Sequence, residues 1–210
     1  MSDARVAAIP MRECGQQLVD VRDGGRLQVD VRKQDARGAF AYLREEVHDR
    51  LMQAQALLPG GLRLLFVEGY RPPALQRQYF EEYAAELARA HPSWVAAQVR
   101  EAASRYVSPP EIAPHSSGAA VDVTLVDPLG REMDMGTRVN ASPEESNNAC
   151  YTDAPDISPQ ARANRDTLGG ALSEAGLVNY GTEWHWSYGD RYWALMTGQP
   201  AALYGPIELP

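Results

Sequence analysis

Apolar positions along the chain alternate between a helical and a strand period. Phe40, Leu43, Val47, Leu51, Ala54 and Leu58 recur at three- and four-residue steps. That spacing lines one face of a helix, so an amphipathic helix is predicted over 36–57, ended by Pro59-Gly60-Gly61. Leu62–Val67 is a compact apolar run of strand length, leading into the turn Glu68-Gly69-Tyr70-Arg71-Pro72-Pro73. Pro73 lacks an N–H where a first helical turn needs none, which predicts a helix from there to about His91, stopped by Pro92. A further helix is expected over about 94–106, then a Pro- and Ser-rich loop over 107–117. Ala119–Val126 reads as a strand, 127–130 as a turn, and 134–157 as a long irregular loop of the kind that often carries function. Ser158 is placed to cap a helix with Pro159 behind it, and Gly176 to close it. A strand over about 182–188 and a short helix over about 190–197 follow. Upstream, residues 16–31 alternate weakly around Asp23-Gly24-Gly25, as a short hairpin or a loop would. Helices and strands are not in strict alternation. The expected fold class is therefore α+β, a small single domain over residues 1–210 with a mainly antiparallel sheet flanked by helices.

The length suits one core. Hydrophobic residues make up 44% and charged residues 23%, the ordinary balance of a globular protein. The formal net charge of -8 repels phosphate backbones, so no nucleic-acid partner is expected. No stretch approaches the ~18 apolar residues of a membrane span, so none is expected to enter a membrane. The N-terminal MSDARVAAIPMREC has no charged n-region followed by a long apolar segment, which makes the cytoplasm the expected compartment. Neither Cys14 nor Cys150 sits in a CxxC pair, so both are expected as free thiols.

Three segments carry chemistry. In the first, Pro114 to Asp122, strand alternation points Val121, Val123 and Leu125 one way and Asp122 the other. A carboxylate within an apolar strand is costly unless paired or bound to a metal. His115 lies just before the strand, and Gly118 gives the loop freedom to fold it back toward Asp122. In the second, Thr182 to Tyr188, a regular strand puts Glu183, His185 and Ser187 on one face and Trp184, Trp186 and Tyr188 on the other. Two imidazoles and a carboxylate form a competent catalytic zinc set, which leaves a fourth position for water. Glu183 is the expected general base beside it. In the third, Glu68 to Pro72, Arg71 at a strand end can stabilise an oxyanion or grip a carboxylate.

Taken together, the three segments resemble the zinc D-Ala-D-Ala dipeptidases, which include the vancomycin-resistance enzymes and are related to zinc D,D-carboxypeptidases. The family pattern has a Ser-x-His-x-x-Gly-x-Ala-x-Asp block, a Glu-x-x-His block near the C-terminus, and a Gly-Tyr-Arg-Pro block upstream. His115, Gly118, Ala120 and Asp122 match the first, Glu183 and His185 the second, and Arg71 the third. Asp134-Met135-Gly136-Thr137 and Trp186-Ser187-Tyr188-Gly189-Asp190 also resemble family segments. The resemblance implies one zinc per chain in a cleft, held by His115, Asp122 and His185. It further implies Glu183 as base, Arg71 as transition-state stabiliser, Asn140 and Ser116 as substrate contacts, and a small dipeptide as substrate. Three positions depart from the pattern. Ala113 replaces the Ser, Asn140 replaces an Asp that helps hold the substrate ammonium, and one residue rather than two separates Glu183 from His185. The alternatives are a substrate-shifted or non-catalytic homologue of the same fold, and a non-haem Fe(II) enzyme with the same two His and one Asp.

Overall fold

In the computed structural model, which describes residues 4–209, the strands are β1 (Leu18–Asp20), β2 (Gln28–Val29), β3 (Tyr42–Arg44), β4 (Arg63–Glu68), β5 (Ala120–Val126), β6 (Val178–Asn179) and β7 (His185–Ser187). The helices are α1 (Ala4–Ala8), α2 (Glu45–Leu57), α3 (Pro73–Ala90), α4 (Ala96–Ala103), α5 (Pro159–Glu174) and α6 (Arg191–Thr197). Five strands form one sheet in the order β2-β4-β5-β7-β6, antiparallel except for β2 against β4, while β1 and β3 pair as a separate ribbon. This is the expected α+β architecture with a mainly antiparallel sheet. No helix among the described residues is long and apolar enough to cross a membrane. Cys14 is exposed, Cys150 is buried, and both are free.

The sheet's two faces have different jobs. Leu64 and Phe66 of β4 and Val121, Val123 and Leu125 of β5 share one core with Val47, Leu51 and Ala54 of α2 and Leu168 and Leu172 of α5. Each such aliphatic or aromatic side chain contributes about 1.5–3 kcal/mol when fully buried. Strand alternation turns Asp122 to the opposite face. Val67, one residue on from Phe66, joins Val139, Cys150 and Trp184 in a second, smaller cluster. The predicted caps are present. Ser158 Oγ accepts from the Ala161 N–H at 3.0 Å, and Gly176 has φ 84° just beyond α5.

Three elements differ from expectation. The helix predicted over 36–57 begins only at Glu45. Residues 39–41 are a 3-10 turn entered through Gly38 at φ 67°, and Tyr42–Arg44 pairs with Leu18–Asp20 as β3. Phe40 and Leu43 are buried all the same, so their spacing fits a helix while their burial is met by a turn and a strand. Of the hairpin and loop readings of residues 16–31, the hairpin does not form: a loop separates β1, which pairs with β3, from β2, which pairs with β4. Finally, β7 starts at His185 rather than near Thr182, with consequences for Glu183 described below.

Candidate functional site

His115 sits in a 3-10 turn, Pro114–Ser117, that leads into β5. The turn is held from outside by buried Arg44, whose Nε donates to the Ser117 carbonyl at 2.7 Å. It leaves through Gly118 at φ 68°, where an added Cβ would lie 2.3 Å from Leu18 Cδ2. His115 Nδ1 donates to the Gly69 carbonyl at 2.6 Å. A carbonyl can only accept, so the proton is on Nδ1 and Nε2 keeps its lone pair, the arrangement typical of a metal-ligating histidine. Gly69 must approach closely to do this, since a Cβ there would lie 2.4 Å from the Tyr42 carbonyl oxygen.

Asp122 and His185 face each other across the β5–β7 ladder. Asp122 Oδ1 lies 3.0 Å from His185 Nδ1 and 3.4 Å from His115 Nε2. One donor atom from each of the three buried residues lies within 4.8 Å of the others. Ligand atoms of a tetrahedral zinc, bonded at about 2.0–2.1 Å, stand about 3.3 Å apart. The two His–Asp separations already match that spacing, so the donor set fits a zinc ion. Burial alone would raise the Asp122 carboxyl, but the two imidazoles outweigh it and hold it well below the usual carboxylate range. Asp122 is thus an anion at any physiological pH, which is what a metal ligand requires.

Arg71 reaches the same place from the end of β4. Its Nε and Nη2 donate to Glu68 Oε1 and Oε2, both at 2.7 Å, and Nη1 donates to Gln76 Oε1 at 2.8 Å. Gln76 is anchored in turn to the Ser108 carbonyl at 2.7 Å. Glu68 was not singled out from the sequence. Its signal was there, a carboxylate closing a buried apolar run, the same oddity that marks Asp122. Burial opposes the Glu68 charge, yet Arg71 outweighs it and keeps the carboxyl below its ordinary value. A depressed folded pKa means this stabilisation is present above the unfolded value of about 4.3 and is lost as pH falls below it. Glu68→Gln strands the buried guanidinium without its counter-charge. The expected loss is about 3–5 kcal/mol, read as a lower urea midpoint, and an unchanged midpoint would reduce the pair to a contact of no energetic weight.

These groups line one cleft of about 310 Å³, within the range of small-ligand sites. His115, Asp122, His185, Arg71 and Asn140 all contribute to its walls. Asn140 has φ 65°, a conformation Asn tolerates better than most residues. Its carbonyl accepts from Tyr106 Oη at 3.0 Å, and its side-chain Nδ2 has no hydrogen-bond partner among the described residues. Ser116, expected as a substrate contact, is fully buried and is not among the lining residues. A 3-10 turn rotates successive side chains by about 120°, so with His115 on the cleft its neighbour turns inward.

Glu183 also stands apart from its expected place. Thr182 and Trp184 line the cleft, and Glu183 between them does not. The segment is a turn closed by the His185 N–H on the Thr182 carbonyl at 3.1 Å, not the start of a regular strand. The turn puts His185 on the cleft and leaves Glu183 buried behind the lining residues, close enough to Arg165 and Asp122 to interact with both charges. The Glu183 carboxyl is buried, neither oxygen has a hydrogen-bond partner among the described residues, and burial pushes its pKa up to about 8 against the pull of Arg165. Arg165 itself, on α5, pins the irregular loop by donating to the carbonyls of Met135 (2.7 Å), Tyr151 (2.8 Å) and Ala149 (2.6 Å). An arginine on a helix gives no sequence signal for such a role.

The chain is 28% identical to a D-alanyl-D-alanine dipeptidase of Synechocystis sp., with 96% of each chain covered. It is 34% identical to a D-alanyl-D-alanine dipeptidase of Escherichia coli over a stretch covering 33% of this chain and 34% of that one. Among solved structures, the vancomycin resistance D,D-pentapeptidase VanY of the VanB-type cassette, in complex with Zn(II), has a TM-score of 0.46 at 17% identity, covering 81% of this chain and 84% of that one. VanYB in complex with D-alanine-D-alanine has a TM-score of 0.47 at 17% identity, covering 85% and 87%. The family profile of peptidase family M15, described as D-Ala-D-Ala dipeptidase, matches residues 29–198, and the chain belongs to that family.

Proposed function

We propose that the chain is a zinc-dependent peptidase for a D-Ala-D-Ala-like dipeptide, with one zinc held by His115, Asp122 and His185. The observation that carries this reading is the set of three buried donor atoms within 4.8 Å on the wall of a cleft. The Synechocystis relative, named for the same dipeptidase activity along nearly its whole length, supports the substrate class. Zinc bound there would supply charge to polarise the scissile carbonyl and acidify the attacking water. Arg71, its guanidinium plane fixed by Glu68 and Gln76, is the residue for the developing oxyanion. Asn140 offers a neutral amide that can hydrogen-bond the substrate but cannot neutralise an ammonium. Glu82 and Glu86 of α3, also on the cleft, add negative charge to its wall.

Proton transfer has two readings. On the first, Glu183 is the base, supported by its position next to the ligand His185. The second is favoured by the carboxyl of Glu183 lying off the cleft while Thr182 stands on it. It describes a slow or substrate-shifted peptidase in which proton transfer bypasses Glu183. The experiment is a screen of zinc-loaded protein against D,D-, L,D- and L,L-dipeptides, with chelation expected to abolish turnover and zinc to restore it. Full activity in verified metal-free protein sinks the zinc reading. Glu183→Ala then separates the two base assignments. Near-total loss of turnover with zinc retained supports the first. An unchanged rate supports the second, and there Thr182→Glu should raise kcat, by up to the ~10²-fold or more that a positioned base contributes.

A further inference from the structure

We infer that Lys33 is the specificity residue that grips the free carboxylate of the substrate. This rests on the peptidase reading above and names a contact that it leaves open. Lys33 is the single lysine in the sequence, and it lies on the cleft wall. It follows β2, which is fastened to β4 by pairing and by the Asp30 N–H on the Phe66 carbonyl at 2.8 Å. Its base is therefore fixed to the same sheet as Asp122.

The cleft's other lining cation is Arg71, whose charge is balanced by the Glu68 carboxylate. Three of its five N–H donors go to Glu68 and Gln76, and the other two are the ones assigned above to the oxyanion. Lys33 is in the opposite state. Its Nζ makes no hydrogen bond among the described residues. The nearest anion, Glu68 Oε2, is 3.9 Å away and is already bound by Arg71 Nη2 at 2.7 Å. The Tyr79 ring lies under the ammonium at 5.1 Å, and the side chain is only 24% exposed. An ammonium with three donors, mostly withdrawn from water and without a strong partner, is poised to receive an anion.

Position gives the anion its identity. Glu68, next to Nζ, is the cross-strand partner of Asp122. The ammonium thus stands one side chain, that of Glu68, away from the ligand Asp122, on the same cleft wall. A dipeptide has its terminal carboxylate one residue beyond the carbonyl that is attacked. Lys33 on that carboxylate makes the free C-terminus a requirement, and the substrate a short peptide acid.

The test compares D-Ala-D-Ala with its C-terminal amide. In the wild type the acid should exceed the amide in kcat/KM by about 10- to 100-fold, the worth of a charge-assisted hydrogen bond. Lys33→Met should raise KM for the acid more than it lowers kcat, and the ratio of acid to amide should fall toward one. Lys33→Arg should restore part of it. An unchanged ratio in Lys33→Met overturns the assignment, and equal losses on acid and amide reduce Lys33 to a structural residue. A second readout needs no turnover. Because the chain has one lysine, acylation of Lys33 by acetic anhydride can be followed by peptide mass mapping. The dipeptide acid should protect it and the amide should not. Protection in a protein that hydrolyses nothing would keep the carboxylate site and discard the peptidase reading. Absence of protection in an active enzyme would do the reverse.

Discussion

Replacing Asp122 with asparagine should remove zinc binding and abolish peptidase activity while the fold survives. Asparagine keeps the size of the side chain and a carbonyl oxygen near His185 Nδ1 and His115 Nε2. It removes the charge that joins the two imidazoles into a metal site. The loss should exceed the roughly 10–100-fold that follows removal of an outer-shell partner, because a ligand itself is gone. A ligand that binds only the folded state raises its melting temperature. Zinc should therefore raise the Tm of the wild type and leave that of Asp122→Asn unmoved. Zinc binding by Asp122→Asn at wild-type affinity would remove Asp122 from the ligand set. A lower Tm in the metal-free variant, compared with the metal-free wild type, would show that the change disturbs the strand as well as the metal.

Arg71→Ala is expected to lower kcat by about 10²-fold or more, with a smaller change in KM, as loss of a donor aimed at transition-state charge does. The geometry adds a complication the sequence did not show. Removing Arg71 also leaves Glu68 buried without its partner, and breaking a buried pair costs about 3–5 kcal/mol. Activity must therefore be measured well below the variant's melting range. Arg71→Lys separates the two effects, since lysine keeps the charge but cannot grip both carboxylate oxygens in a planar fork. Stability near wild type with kcat still depressed would assign the loss to the oxyanion. Recovery of kcat together with stability would make Arg71 a structural residue.

Asp122 and Glu183 show how far a sequence pattern reaches. Asp122 could be located from its own segment, because β5 is regular and buried on both faces. Alternation then fixed its direction. Glu183 was assigned by the same alternation, but its segment is a turn held by the Cys150 and Thr182 carbonyls, the first of them more than 30 residues away. A period of two is informative only inside a strand, and the start of β7 is set by those distant bonds. The helix drawn over 36–57 failed for a related reason. Phe40 and Leu43 are both buried, the first in a 3-10 turn and the second in a strand that has Leu18–Asp20 as its partner.

The sequence by itself determined the α+β class, the helices opened by Pro73 and Ser158, and the metal-site candidates His115, Asp122 and His185. These rest on local rules of periodicity, capping and the cost of an unpaired carboxylate in an apolar strand. The tertiary structure alone decided that Thr182 lines the cleft, that Ser116 and Glu183 are buried outside its lining, that Glu68 and Gln76 fix Arg71, and that Lys33 stands beside Glu68. Each of these depends on contacts between segments far apart in the chain, whose register and spacing no local pattern encodes.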